Sequence, residues 1–209
     1  MRSALLAVLA AAAFYATACG GGEQPSPTFT PVPAETAATP IVTPGPSPTS
    51  IAFHIDAALL QPNDLPEDWQ FQGVDECGGN GPRASLCPGQ GVVGGKVAFA
   101  TRGPAENLSV VVVLAEPGQA EAVAQSIVAR ALSGERPWNR QDVDQPVPGT
   151  VRLDQELSDM SPPRVVHRII FYQGPVVADI SLNIDQTSQD PSIDQLAFLI
   201  QERIASHLP

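Results

Sequence analysis

Apolar runs and turn-forming residues alternate through the second half of this chain. Residues 92–101 and 108–115 read as two strands joined by the turn-like stretch Arg102-Gly103-Pro104-Ala105-Glu106-Asn107. Inside the second strand, Val110 to Leu114 is an unbroken apolar run rich in β-branched residues, which suits a central strand buried on both faces. Ala120, Val123, Ala124, Ile127 and Ala131 then recur at helical spacing and predict a helix over residues 118–132, with Gly134 as its stop.

The order then repeats. Residues 164–172 and 176–184 read as strands around Gln173-Gly174-Pro175. Val176, Ala178, Ile180, Leu182 and Ile184 alternate with more polar positions, so one face of that strand is expected to be wet. Asp190 and Pro191 mark a helix start, and Ile193, Leu196, Ala197, Ile200 and Ile204 form its apolar stripe. Residues 151–157 and 70–74 add strands, and 51–60 has the pattern of a short helix. Two prolines, Pro62 and Pro66, break regular structure between them and leave Leu65 and Trp69 to plug the core from a turn. The expected fold class is α+β: an antiparallel sheet with two main helices on one face, a ββα pseudo-repeat and one disulfide. The alternative to a repeat is a chance match of Gly103-Pro104 with Gly174-Pro175, since hairpins followed by helices are common.

The N-terminal part has a different character. Residues 1–18 carry Arg2 and then a short apolar stretch ending in small residues, the layout of a secretory signal peptide. The stretch, at about 15 residues, is short for a spanning helix of roughly 20. Ala16-Thr17-Ala18-Cys19, followed by three glycines, resembles the lipobox of bacterial lipoproteins, with Ala16 where Leu, Val or Ile is usual. The resemblance implies that Cys19 is lipidated and anchors the protein on the extracytoplasmic face of the cell membrane. Within residues 19–50, Pro25, Pro27, Pro31 and Pro33 begin a Pro- and Thr-rich tract that cannot bury enough apolar surface to fold. Residues 51–209 remain as a single extracytoplasmic domain.

Composition narrows the function classes. The net charge of the 209-residue chain is −11, and Lys96 is its only lysine. Nucleic acid is excluded as a partner, because no basic patch is available to neutralise phosphates. In an exported protein the remaining pair, Cys77 and Cys87, reads as a disulfide. A metal site is the sharper alternative, but no His or Cys stands at ligand spacing from either.

Leu59-Leu60, Asp64-Leu65-Pro66 and Trp69, followed by Cys77, strands and a closing helix, resemble the PknH-like extracellular sensor domain family of bacteria. The resemblance covers most of residues 57–209. It implies an α+β domain that binds an external ligand in a cleft. The chain departs from that family in having one disulfide where the kinase receptors have two, and Glu67-Asp68 where a Gly-containing turn is usual.

No motif supplies enzymatic chemistry. There is no Gly-x-Ser-x-Gly elbow, no His-Glu-x-x-His and no Ca²⁺-binding loop. Asp185, Asp190 and Asp194 read as caps and solvated charges rather than ligands. The glycines between Gly89 and Gly95 precede a strand, so they read as a loop or bulge rather than a phosphate cradle. His167 lies in phase with Val165, Ile169 and Phe171; it marks either a pocket or a satisfied rim histidine. Acidic neighbours such as Asp179 or Asp185 would favour the pocket. Trp138, flanked by Arg136 and Arg140, has the composition of a contact anchor; alternatively it folds back over the sheet. The expectation is a non-enzymatic, lipid-anchored module without metal or cofactor, sensing or binding a ligand or an envelope protein. Its rival is a carrier of apolar small molecules or lipids.

Overall fold

Seven antiparallel strands form one sheet in the order β1-β2-β3-β7-β6-β5-β4. The computed structural model describes residues 53–141, 147, 149–188 and 191–208; Cys19, the Pro-rich linker and Asp190 lie outside the described residues. In chain order the elements are α1 (Ile55–Ala58), β1 (Gln70–Glu76), β2 (Val92–Arg102), β3 (Glu106–Ala115), α2 (Ala120–Leu132), β4 (Asn139–Gln141), β5 (Val151–Leu157), β6 (Arg164–Gln173), β7 (Val176–Asp185) and α3 (Ile193–His207).

β3 and β7 pair at the centre, Val110 against Ile180 and Val111 against Asp179. As the apolar run predicts, β3 is buried on both sides. Leu108, Val110 and Val112 join Ile180, Leu182, Phe171 and the stripe of α3 in one core. Val111 and Val113 join Val177, Ile170 and α2 in the other. The two main helices therefore cover opposite faces, which corrects the expectation that both lie on one.

The register explains the difference. Counted from Gly103 and from Gly174, Val111 and Leu182 occupy the same place in their units, and each packs under its own unit's helix. Yet Val111 pairs with Asp179, not with a residue in phase with Leu182. An odd offset in a strand pairing turns equivalent side chains to opposite faces, so the repeated ββα order produces helices on opposite sides. It also removes the expected wet face of β7. Val177 and Asp179 are buried under α2, and Asp179 accepts hydrogen bonds from Arg168 at 2.5 and 2.7 Å.

The leading segment is locked to the first core. Leu59, Leu60 and Trp69 are buried, and Leu65 packs against them. Each fully buried side chain of this size contributes about 1.5–3 kcal/mol. Asp64 accepts two hydrogen bonds of 2.7 Å from Arg203 of α3, which also donates to the Leu59 carbonyl at 2.9 Å. Arg102 donates to Glu106, to Asp68 at 3.1 Å and to Ser188 at 2.6 Å. Its guanidinium stands 5.3 Å from the Trp69 ring centre. Two arginines thus fasten a segment that has little regular structure of its own.

Cys77 and Cys87 form the disulfide expected from their count. It sits against Gly95 of β2, where an added Cβ would come within 2.5 Å of Val113 Cγ1 and 2.8 Å of Cys77 Sγ. At Gly94, one residue away on the other face, a Cβ would meet nothing within 4 Å. Gly95→Ala is expected to lose about 1–3 kcal/mol by overpacking, and Gly94→Ala to stay within about 0.5 kcal/mol of the parent. Urea unfolding of the two variants checks this; equal losses would remove the steric account.

Glu106 supplies a pH dependence. Hydrogen bonds from Arg102, opposed by partial burial and aided by the Asp185 backbone N–H, hold its carboxyl below its ordinary value of 4.5. A depressed carboxyl stabilises the fold fully above its unfolded value and ceases to do so as pH falls through the folded one. Unfolding measured from pH 6 down to pH 3 should show a loss below about 4.5 that is smaller in Glu106→Gln. An unchanged acid limb in the variant would overturn the assignment.

Candidate functional site

Between α2 and β5 a short strand edges the sheet. Asn139, Arg140 and Gln141 pair with Asp154, Leu153 and Arg152 to make β4, the short outermost strand. Directly opposed residues of a strand pair point to the same face. Arg140, opposite Leu153, therefore faces the side covered by α2, where Leu153 is buried.

Between α2 and this edge runs an open groove of about 460 Å³. Its helical wall is Ala124, Val128, Ala129 and Leu132, and its floor is Val151 of β5 with Ile170 of β6. Tyr172, Arg140, Glu121 and Gln125 supply the polar groups. Gly149, in a left-handed conformation at φ 80°, lies so close to Tyr172 that a Cβ there would be 2.9 Å from the ring. The glycine thus lets the backbone pass beside the tyrosine at the groove's mouth. A volume of this size and a mainly aliphatic lining with a few polar groups are the usual features of a small-molecule site.

Trp138 is half-buried and packs on the α2-side core. Its neighbour Arg136 points outward and makes a two-pronged ion pair with Asp159, at 2.9 and 3.0 Å. Arg140 lines the groove. The three residues that the sequence groups together thus divide into a packing residue, a surface pair and a groove cation.

His167 faces the other side of the sheet. It borders a hollow of about 280 Å³ with Arg152, Leu182, Ile184, Ser192 and Asp194. Its Nδ1 lies 2.6 Å from Asp154 Oδ1, and Arg152 links Asp154 to Asp194 with contacts of 3.2 and 2.7 Å. The acidic neighbour is Asp154, on β5, rather than Asp179 or Asp185. Asp179 belongs to Arg168 on the opposite face, and Asp185 accepts hydrogen bonds from Thr187. Among the described residues, the imidazole's hydrogen-bonding contacts are Asp154 and Arg152, with no hydroxyl or thiol among them. The chain His167–Asp154–Arg152–Asp194 ties β6 and β5 to the first turn of α3.

The Val and Ile residues that a carrier would present on a concave sheet face are instead covered by helices: Val110, Val112, Ile180 and Ile184 are at most 2 % exposed. Among the described residues no group of His, Cys, Asp and Glu is arranged to hold a metal ion. None of their helices is long and apolar enough to cross a membrane.

The groove was only partly signalled by the sequence. Val128 and Leu132, four apart, extend the apolar surface of α2 past its core-facing stripe, and Leu132 remains 44 % exposed. That surplus was a usable signal; Tyr172 and Gly149 carried none, because a loop and a strand bring them together.

These features define an α+β domain with a sheet covered by helices on both faces and a groove along one of them. No protein-family model and no curated protein matches the chain. Among solved structures, it is similar to the extracellular domain of PknH from Mycobacterium tuberculosis, at 13 % identity and a TM-score of 0.55. The match covers 73 % of this chain and 95 % of that one. The fold is therefore that of a PknH-like extracellular domain.

Trp138→Ala is expected to lose about 2 kcal/mol, roughly half the cost of removing a fully buried Trp. Arg136→Ala, which breaks an exposed ion pair, should lose under about 0.5 kcal/mol. Chemical unfolding separates them; a Trp138→Ala protein as stable as the parent would refute the packing role.

Proposed function

We propose that this protein is a lipid-anchored, non-enzymatic binding module on the extracytoplasmic face of the cell membrane. Cys19 is the anchor, residues 19–50 are the tether, and the folded domain meets a ligand or an envelope protein. The observation that carries the binding role is the groove beside Arg140, open to solvent and largely aliphatic. Two further points support it. The similar fold belongs to an extracellular domain, and among the described residues the hydrogen-bonding contacts of the His167 imidazole are Asp154 and Arg152. The lipobox-like Ala16 to Cys19 and the Pro-rich tract support the anchor and the tether. A single acyl chain binds membranes only marginally, so two or more are expected on the mature N-terminus.

The test combines fractionation with mass measurement. The chain should pellet with membranes, and its N-terminal peptide should carry the mass of a diacylglyceryl group on Cys19. Cys19→Ala should move it to the soluble fraction. Equal pelleting of the variant, or an unmodified Cys19, would sink the anchor. Native mass spectrometry of the same preparation addresses the binding role: a bound small molecule or envelope protein is expected, lost on Ala129→Phe, which fills the groove. Survival of the complex in that variant would sink the groove as its seat.

A further inference from the structure

We infer that the groove takes a small anionic amphiphile, an aliphatic body bearing one carboxylate, with the acid group held by Arg140. The inference rests on the proposal that the groove binds a ligand and names the ligand's chemistry.

The first argument is an inventory of cations. Acidic side chains outnumber basic ones by 22 to 11, so a basic side chain has carboxylates to spare. Lys96 pairs with Asp56 and Glu76, Arg83 with Asp75, Arg136 with Asp159, and Arg203 with Asp64. Arg102, Arg152 and Arg168 are likewise paired, and buried Arg164 donates to the Ala105 carbonyl. Among the described residues, Arg130 and Arg140 alone have neither an ion-pair partner nor a hydrogen bond to a carbonyl, and only Arg140 lines the groove. A guanidinium presents a planar fork that fits a carboxylate with two parallel hydrogen bonds.

The second argument is the polarity of the groove. Arg140 lies on the rung of Leu153 and Arg168. Tyr172 is four residues further along β6, about 13 Å away at strand spacing. α2 begins at that far end: it follows Ala115, whose N–H bonds the Pro175 carbonyl at the β6–β7 turn. Glu121, in the first turn of α2, therefore sits toward the Tyr172 end. The groove runs from a cation to an anion with aliphatic walls between. An acid group is drawn to Arg140 and repelled from Glu121, so a ligand with one acid lies in one direction. The tail then covers Val128, Val151 and Ile170.

Calorimetric titration of the intact chain with sodium decanoate, 1-decanol and decylammonium chloride, each below its aggregation concentration, tests this. Decanoate is expected to bind about fivefold to tenfold more tightly than the alcohol, a modest ratio because Arg140 is exposed to water. Arg140→Gln should bring decanoate to the level of the alcohol, and Ala129→Phe should weaken all binding. Decanol or decylammonium binding as tightly as decanoate, with Ala129→Phe still blocking, would overturn the carboxylate inference and leave the groove as a site. Binding that Ala129→Phe does not affect, or no binding by any probe, would overturn the inference. If an endogenous ligand nevertheless departs on Ala129→Phe, only the ligand class is wrong; if it does not, the groove itself is.

Discussion

Val110 lies against Ile180 and Val111 against Asp179, and the direction in which each half of the domain faces follows from this register. β3 and β7 are the last strands of two hairpins, and each leads into a helix. Because their pairing is offset by an odd number relative to the repeat, the helices leave on opposite sides. A pairing moved by one residue would bring both helices to one face and leave the other face apolar and bare. The groove depends on the same offset. It exists because α2 crosses to β6 and β7 on a face that α3 does not share, and stops short of the β4–β5 edge.

The segment before β1 shows a second kind of order, supplied by ion pairs rather than by backbone ladders. Asp64 and Asp68 are held by arginines from α3 and β2, elements distant in sequence. The Leu-Leu, Asp-Leu-Pro and Trp pattern that signals the family resemblance is thus made of residues that bind the protein to itself. A pattern with this structural role identifies a fold. It carries no information about a ligand, which is why two proteins that share it need not share a partner.

Much of the fold was legible from periodicity. Residues 151–157 were expected as a strand and are β5, and the five stripe residues of α3 are all buried. Helical and strand periods report which side chains share a face of one element. They do not report which face of the sheet that element will cover, so the opposite placement of α2 and α3 was hidden until the register of β3 on β7 was known. β4 was missed for a different reason: Asn139, Arg140 and Gln141 have no apolar alternation, being an exposed edge held only by β5. The site followed the same division. Arg136, Trp138 and Arg140 drew notice as a cluster; Trp138 and Arg140, two apart, do share the α2 side, whereas Arg136 lies ahead of β4 and is taken up by Asp159. Asp154, the partner of His167, came from a neighbouring strand with no sequence cue.

The central pairing also sets the order in which the molecule can be assembled. Both hairpins close over short turns and form locally, yet β3 finds its second neighbour only among residues 176–183. Contacts this distant in sequence make for slow folding, because the chain entropy of a long loop is lost before the contact repays it. For a chain that emerges N-terminus first, from a ribosome or any other exit, the first hairpin must wait with one side of β3 unpaired until most of the polypeptide is out. Such a chain stays pliable for the length of its passage and becomes compact only near the end of it.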